Sequence, residues 1–338
     1  MTSHSLEQDS LKGNVQKRAL IFGASSQAGH YLRQLLLEKG YEVWGTYFDH
    51  REFVYSGTNM MSCDVRSRDS VGNTFRQARP DEVYNLASKM FAPRSWEDPE
   101  NYTATCYNAV VHMLDHIWTW NPGIKFFNAG SAEVFDISSS PQSEVTPLRP
   151  RNPYGVAKAA AQELVRIYRS TKGLYACTGI FFNMESPLRA PSFFSRKVVT
   201  EVVRIKRELD RKKVPIEKMQ LGKLDALRDW GYTKEYMEAA HLMLQQERPD
   251  DYVIATGEAH SCADFVEEAF EAVGMSWPEC INYFMFEKPG GQQDLLLGNP
   301  TKIYEKLGWK AKTRFNALVR YMVAAELEDK EVVHGGGQ

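Results

Sequence analysis

The feature that most constrains the fold is a regular alternation of short apolar segments and amphipathic helical segments between Ala19 and Asn183. Strands that alternate with helices of about 10 to 15 residues predict a parallel, doubly wound α/β sheet. Ligands of such sheets bind at the carboxyl ends of the strands. Five residues follow predicted strand ends and mark where we expect the site: Gly23, Asp49, Leu86, Ser131 and Asn183.

The first predicted strand, ALIFG, and the helix after it are joined by a glycine-containing turn. Strand, turn, helix and second strand follow within about 30 residues, the length of a βαβ unit. Ser26 stands where a middle glycine is usual, but the turn opens a helix whose N-terminal amides suit a pyrophosphate. A plain turn is the alternative. We predict a Rossmann-like dinucleotide-binding fold, with a cofactor held by Gly23, Ser25, Ser26, Gln27, Ala28 and Gly29.

Asp49 lies 20 residues after Gly29, at the end of the second predicted strand. A carboxylate at this position hydrogen-bonds the adenosine ribose and repels a 2′-phosphate. Asp49 therefore favours NAD over NADP, although a solvated loop acid is the alternative interpretation.

Past Asn183 the alternation weakens, and the sequence predicts a smaller α+β part folded against the sheet. A basic amphipathic helix, RKVVTEVVRIKRELDRKKV, precedes the strand YVIAT and the helix SCADFVEEAFEAVG. We expect flexible tails at 1–16 and 331–338. The predicted dinucleotide-binding domain comprises 17–183 with about 224–258, and the predicted substrate-binding domain comprises about 184–223 with 259–330.

Composition limits the class of protein. The 338 residues carry a net charge of −2, which predicts no attraction to nucleic acid or to a membrane surface. Five scattered cysteines without a CxxC pair are typical of reduced thiols, and they suggest no metal site. No apolar run reaches the roughly 18 residues of a membrane span, and the polar N-terminus lacks a signal-peptide core. We therefore expect a cytoplasmic protein.

The segment RNPYGVAK places Tyr154 and Lys158 four residues apart, on one face of a predicted helix. An ammonium beside a phenol lowers its pKa from about 10, which makes tyrosine a usable general base. Ser131 and Glu133 lie at the end of the fifth predicted strand and point the same way if the strand continues. The alternative is a surface helix, with Ser131 capping a turn and Glu133 facing water.

Longer motifs extend over residues from about 18 to 328. They are LLLEKGYEVWG, YNLAS, GSAEVF, PRNPYGVAK, YACTGIFFNMESP, LRDWGYTKEYMEAAHLMLQQE, DDYVIATGEAHS and DLLLGNPTKIYEKLGWKAKT. With these motifs the chain resembles the GDP-mannose 4,6-dehydratase family of extended short-chain dehydrogenase/reductases. NxESP and RDWG…EY carry the resemblance more specifically than YxxxK does.

The resemblance implies a redox-neutral dehydration of GDP-mannose on a tightly bound NADP or NAD that is recycled. Tyr154, with Lys158 beside it, would remove the proton of the C4 hydroxyl, and Ser131 would hydrogen-bond the C4 oxygen. Glu133 would take the C5 proton and assist loss of the C6 hydroxyl as water. The resemblance also implies a homodimer or homotetramer.

Further residues follow from the resemblance position by position. Those implied to bind the cofactor, besides the turn and Tyr154 and Lys158, are Asp64, Val65, Leu86, Ala87, Lys89 and Arg189, the last possibly in a neighbouring subunit. Those implied to bind the nucleotide sugar are Ser88, Asn183, Glu185, Lys197, Arg228 and Lys288.

Departures from the family keep alternatives open. Phe48 and Asp49 replace arginines that would meet a 2′-phosphate, so NAD competes with the family's NADP. KPGGQ, from Lys288 to Gln292, replaces a substrate-binding segment, so another nucleotide sugar such as a GDP-heptose is an alternative substrate. A 4-keto-reductase or epimerase on the same scaffold would not need Glu133 as a base at C5. A catalytically silent cofactor-binding subunit would need none of the catalytic residues.

Overall fold

The computed structural model describes residues 16–48, 55–211, 215–283 and 294–328. The first six strands are β1 (Arg18–Phe22), β2 (Glu42–Tyr47), β3 (Thr58–Ser62), β4 (Glu82–Asn85), β5 (Lys125–Ala129) and β6 (Ala176–Phe181). The later strands are β7 (Asn183–Glu185), β8 (Met219–Leu221), β9 (Leu227–Arg228), β10 (Trp230–Tyr232), β11 (Tyr252–Ile254), β12 (His260–Ser261), β13 (Ile281–Tyr283) and β14 (Leu295–Leu296).

The helices of the same ranges are α1 (Gln27–Glu38), α2 (Arg68–Ala78), α3 (Pro99–Thr103), α4 (Ala109–Trp120), α5 (Pro153–Lys172), α6 (Phe194–Asp210), α7 (Thr233–Leu244), α8 (Cys262–Glu271), α9 (Thr301–Leu307) and α10 (Phe315–Glu328). One π-helical turn at Ala104–Asn108 separates α3 from α4. No helix in the described part of the chain is both long and apolar enough to cross a membrane.

The main sheet has seven strands within the described ranges, in the order β11-β6-β5-β4-β1-β2-β3. Every neighbouring pair is parallel, which confirms the predicted doubly wound α/β sheet. From β1 the sheet extends in one direction through β2 and β3, and in the other direction through β4, β5, β6 and β11. The carboxyl ends of β1 and β4 therefore border the crevice in which such sheets bind ligands.

The alternating side chains of β1 explain why helices cover both faces of the sheet. Ala19 and Ile21 pack into one apolar cluster with α1 and α7. Leu20 and Phe22 point the other way and pack with α2, α4 and α5. A strand that is apolar on both sides must be buried on both sides, as parallel sheets are.

A smaller part of the chain has its own apolar core, in which α6, α8 and α10 pack with β8 and β13. Leu224 and Trp230 belong to this cluster, whereas α7 and β11 pack on the main sheet. Short strand pairs join this part to the sheet edge, as β7 pairs with β10 and β9 pairs with β12 and β14. The proposed division into a dinucleotide-binding and a substrate-binding domain stays a prediction.

Candidate active site

The site is a cleft at the carboxyl ends of the central strands. It contains two adjoining cavities of about 410 Å³ and about 280 Å³. Ser26, Leu86, Ser88 and Met90 line both cavities, so the two form one continuous cleft. This is the edge of the sheet at which the sequence predicts the site.

The glycine turn forms one wall of the cleft. Gly23 has a φ of +82°, and a Cβ there would lie 2.9 Å from the backbone nitrogen of Ala87. A Cβ on Gly29 would lie 2.6 Å from the backbone of Ala24. Neither position leaves room for a side chain, because the turn packs against the backbone of Ala87 and Ala24. Gly23 itself lines the larger cavity, beside the N-terminus of α1, where a dinucleotide pyrophosphate would fit.

Ser26, in place of the usual glycine, caps α1. Its Oγ accepts a hydrogen bond of 3.1 Å from the backbone N–H of Gly29, as an N-cap serine does. Gln27 next to it donates from Nε2 to the Met184 carbonyl at 3.1 Å and accepts from Ser186 Oγ at 2.8 Å. The turn is therefore fixed both to its own helix and to the segment around β7.

The far end of the larger cavity lies beside β3. Predicted cofactor residues line it: Gly23, Ser25, Ser26, Asp64, Val65, Leu86, Ala87 and Lys89. β3 ends at Ser62, so Asp64 is a loop residue. Asp49 lies outside the described residues. Lys89 Nζ forms an ion pair of 2.9 Å with Asp98.

Arg66 is a lining residue that the sequence analysis missed. Its guanidinium forms two hydrogen bonds with Asp64, of 2.9 and 2.8 Å, and lies 4.9 Å from the ring centre of Phe48. The hydrogen bonds from Arg66 hold the pKa of Asp64 below its ordinary value. The sequence contains no signal for Arg66. Its contact with Phe48 forms only in the folded chain, where the segments after β2 and β3 come together.

The four predicted catalytic residues, Ser131, Glu133, Tyr154 and Lys158, all line the smaller cavity. The expected continuation of β5 to Ser131 and Glu133 is wrong, because β5 ends at Ala129 and a single 3₁₀ turn follows. Ser131 Oγ caps that turn by accepting from the Glu133 N–H at 3.3 Å. Both side chains nevertheless line the same cavity.

The expected effect of Lys158 on Tyr154 is also wrong for the protein alone. Burial raises the pKa of Tyr154 above its ordinary value, Cys106 adds to the rise, and a hydrogen bond with Ser131 opposes it. Burial likewise lowers the pKa of Lys158. Lys158 Nζ donates to the Ala129 carbonyl at 2.9 Å, and it lies 5.9 Å from the Tyr154 ring centre. Desolvation therefore outweighs the proximity of the ammonium.

Asn152, which the sequence analysis also missed, contacts Glu133. Its Nδ2 donates to Glu133 Oε2 at 2.9 Å, and its Oδ1 accepts from the Gly155 N–H at 2.8 Å as the N-cap of α5. A Cβ on Gly155 would lie 2.6 Å from the Glu133 carbonyl, so the start of α5 packs directly on the 3₁₀ turn.

The wall opposite the catalytic residues is formed by the segment after β6. Asn183 and Arg189 line the smaller cavity, as does Ser88 from β4's end. Arg189 lies in this chain's own cleft, with its guanidinium 3.6 Å from the Phe193 ring centre and its Nε 3.4 Å from the carboxylate of Glu185. Glu185 also accepts a hydrogen bond from Ser195, and burial raises its pKa.

Several predicted residues are not brought into the lining. Glu185 is buried behind the cavity wall, and Gly29 is a packing position. Lys197 is exposed on α6 and donates to the Gln220 carbonyl at 2.7 Å. Neither Lys197 nor Arg228 is among the described residues that line the two cavities. Lys288 lies outside the described residues.

The remaining lining of the smaller cavity is apolar and was not predicted from sequence. It includes Met90, Phe91, Phe181, Phe182, Phe193 and Phe194. The rings of Phe91 and Phe193 meet edge to face, with centres 5.6 Å apart. Among the described residues, no cluster of His, Cys, Asp or Glu side chains is arranged to hold a metal ion.

A family model and the curated relatives that match this chain carry the same description. A family model described as GDP-mannose 4,6 dehydratase matches residues 20–322. GDP-mannose 4,6 dehydratase 1 from Arabidopsis thaliana is 38% identical over 97% of this chain and 94% of that protein. GDP-mannose 4,6 dehydratase from Cricetulus griseus is 35% identical over 95% of this chain and 94% of that protein.

Among solved structures, the UDP-glucose 4-epimerase of Thermus thermophilus in complex with NAD has a similar fold. The TM-score is 0.79, with 92% of this chain and 99% of that chain covered. Sequence identity is 22%, so this similarity concerns the fold alone.

Proposed function

Because this chain belongs to the GDP-mannose 4,6-dehydratase family, we propose that it converts GDP-mannose to GDP-4-keto-6-deoxymannose and water without net use of reductant. The observation that carries the proposal is the presence of Ser131, Glu133, Tyr154 and Lys158 around one cavity beside the glycine turn. A 4-keto-reductase needs the tyrosine and the lysine but no base at C5, so Glu133 favours the dehydratase.

The glycine turn is the proposed binding site of the cofactor, NADP or NAD. Gly23, Ser26 and Ala28 would hold the pyrophosphate, and Lys158 would hold the nicotinamide ribose. When bound, the nicotinamide would supply a hydride acceptor for C4 and a positive charge beside the phenol in its oxidised form, and a hydride donor for C6 in its reduced form. A positive charge there favours the phenolate, which burial otherwise disfavours.

The residues of this chain handle the protons. Tyr154 Oη takes the proton of the C4 hydroxyl while C4 gives up its hydride, and Ser131 donates a hydrogen bond to the C4 oxygen. The resulting ketone makes the C5 proton acidic. Glu133 takes that proton, the C5–H electron pair forms the C5=C6 bond, and the C6 hydroxyl leaves as water with the proton from Glu133. C5 would then take a proton from solvent as the hydride returns to C6, and Tyr154 would release the C4 hydroxyl proton to solvent, which balances the protons.

Substrate contacts are proposed at two places, one inside the smaller cavity and one outside its lining. Ser88 and Asn183 line the cavity that would hold the sugar. Arg228 and Lys197 lie outside this lining and suit the diphosphate, an arginine as a bidentate donor and a lysine as a point charge. Arg228 is paired with Asp294 in the protein alone, so this contact requires an exchange of partners.

The protein is further proposed to act as a homodimer or homotetramer in the cytoplasm. Exposed apolar side chains on α4 and α5, including Trp118, Trp120 and Ile167, support association. All five cysteines are free and buried, which supports a reducing compartment.

The test incubates the purified enzyme with GDP-mannose without added reductant and follows the product by mass spectrometry. We expect loss of one water by the wild type and no loss by Glu133→Gln or Tyr154→Phe. Glu163→Gln, a change at a half-buried position of α5 that does not line the cleft, is the control and should keep full activity. An unchanged GDP-mannose mass would contradict the substrate, and GDP-heptoses would be screened next. In a parallel incubation with added NAD(P)H, its stoichiometric consumption would indicate the reductase instead.

A further inference from the structure

One side chain joins the start of α5 to the carboxylate at the end of β5. Asn152 Nδ2 donates to Glu133 Oε2 at 2.9 Å, while Asn152 Oδ1 accepts from the Gly155 N–H at 2.8 Å. The backbone N–H of Gly155 can only donate, so the amide oxygen must face it and the amide nitrogen must face Glu133. The orientation of this amide is thus determined by the hydrogen bonds themselves.

The contact leaves one carboxylate oxygen for the reaction. Oε2 of Glu133 is bound by the amide, and Glu133 lines the cavity with its side chain half-buried. The other charged or titratable groups that line this cavity are Tyr154 and Lys158 on α5 and Arg189 after β7. Arg189 is paired with Glu185, and Lys158 donates to the Ala129 carbonyl. Tyr154 interacts with Glu133 through charge, which contributes to the raised pKa of the phenol. Among the described residues, Asn152 is the side chain that donates a hydrogen bond to the Glu133 carboxylate.

We propose that Asn152 is a positioning residue for proton removal at C5: its amide holds the Glu133 carboxylate in one orientation. This inference rests on the proposed dehydratase function. The amide donates to Oε2 throughout, so Oε1 faces the sugar, takes the C5 proton and passes it to the departing C6 hydroxyl. A hydrogen bond to a carboxylate is stronger than one between neutral groups, and it favours the ionised form.

The chain offers variants that separate this role from helix capping. Serine and aspartate are both good N-caps, so Asn152→Ser and Asn152→Asp keep an oxygen for the Gly155 N–H. Asn152→Ser removes the amide N–H that donates to Glu133 Oε2 and leaves only a shorter hydroxyl, whose oxygen serves the Gly155 N–H. Asn152→Asp replaces it with a second carboxylate, and a like charge at this distance disfavours ionisation of Glu133. Both variants should therefore fold as the wild type does and differ from it at Glu133.

The experiment measures kcat as a function of pH and the entry of solvent deuterium at C5 of the product. For Asn152→Ser we expect kcat near neutral pH to fall about tenfold, with the acidic limb moved up by about one pH unit. For Asn152→Asp we expect a fall of about a hundredfold and a larger movement of the same limb. The C4 oxidation step, followed by absorbance of the reduced cofactor in a single turnover, should keep its wild-type rate.

A second measurement does not depend on turnover. Infrared titration of the carboxyl band, taken as a difference against Glu133→Gln, reports the ionisation of Glu133 in the enzyme without substrate. We expect the midpoint to rise in Asn152→Ser and to rise further in Asn152→Asp. Cofactor affinity and Tm are measured alongside and should stay at wild-type values.

Two results would overturn the inference. One is an unchanged pH profile and carboxyl midpoint in both variants; the other is a fall of kcat that follows a fall of Tm, as a cap alone would give. Failure of the proposed function looks different, since the wild type itself would then leave GDP-mannose unchanged. The carboxyl titration would in that case still decide whether Asn152 holds Glu133.

Discussion

The proposed cofactor site (the cofactor end) and the proposed diphosphate contact at Arg228 (the substrate end), which lies outside the cavity lining, are organised by different physical means. At the cofactor end, around Gly23 and Gly29, backbone atoms approach so closely that a Cβ would lie within 2.9 Å of them. At the substrate end, around Arg228, a guanidinium is held by Asp294 through a hydrogen bond of 3.0 Å to the carboxylate and one of 2.8 Å to the carbonyl. Steric contact preorganises the first end, whereas the second must exchange polar partners to bind a diphosphate.

A buried carboxylate supports the substrate end. Asp229, adjacent to Arg228, accepts hydrogen bonds from Thr256 N and Oγ1, from Gly257 N and from Gly298 N. Burial raises the pKa of Asp229 to about 6, although these donors oppose the rise. Stability and substrate binding at the substrate end should therefore depend on pH and salt concentration. Stability and cofactor binding at the cofactor end should instead depend on the side-chain volume added at a glycine.

The largest expected effect is at the cofactor end. Gly23→Ala adds both left-handed strain and a clash with Ala87, and should lower the free energy of unfolding by about 4 kcal/mol. The loss is measured by urea denaturation, and cofactor binding by fluorescence titration, which should show no complex.

Gly40→Ala is the matched control for this prediction. Gly40 has a φ of +80°, close to that of Gly23, but nothing lies within 4 Å of the added Cβ. Strain alone should cost about 1 kcal/mol and leave cofactor affinity unchanged. Equal losses in the two variants would show that steric contact with Ala87 does not organise the cofactor end.

Asp229 should make the stability of the protein depend on pH. Its pKa is higher in the folded protein, about 6, than its ordinary value of 3.8, so the native state binds the proton more tightly. The contribution of Asp229 to the free energy of unfolding therefore falls by about 3 kcal/mol as pH rises from 4 to above 6.

This sign is checked by urea denaturation of the wild type and Asp229→Asn between pH 4 and 7. The variant loses an acceptor and is less stable throughout, but its deficit relative to the wild type should shrink as pH rises. A deficit that grows with pH would mean that the four hydrogen bonds outweigh burial and lower the pKa of Asp229.

A smaller effect is expected from Arg228. Arg228→Ala should raise KM for GDP-mannose about thirtyfold, roughly 2 kcal/mol, with kcat nearly unchanged, because the lost contact acts on bound substrate throughout. Arg228→Lys keeps the charge but loses the planar, bidentate guanidinium. Its KM should therefore lie between those of the wild type and Arg228→Ala. Steady-state kinetics would contradict the proposed diphosphate contact if KM stayed at the wild-type value.

The smallest effect is expected from Lys197. Its side chain is exposed, so Lys197→Ala should raise KM only about threefold. The increase should disappear at high salt, since exposed charges are screened. KM measured at two ionic strengths tests this, and an effect as large as that of Arg228→Ala would place Lys197 inside a desolvated substrate site.

Local pattern was enough to predict much of the fold. Alternating apolar and amphipathic segments specified the parallel sheet, because burial of both faces of a strand requires apolar residues on both sides. Helical spacing placed Tyr154 and Lys158 on one face of α5. Because the predicted strands are parallel, their carboxyl ends lie at one edge of the sheet, and this predicted that the glycine turn lies at the same edge as Ser131 and Glu133.

Tertiary structure decided what depends on partners that are distant in the chain. The amide of Asn152 meets Glu133 only because β5 ends at Ala129 and α5 begins against the turn that follows. Arg228 meets Asp294, 66 positions later, and no local pattern indicates that pair. The pKa of Tyr154 rises because folding removes water from the phenol, a desolvation that no sequence spacing specifies.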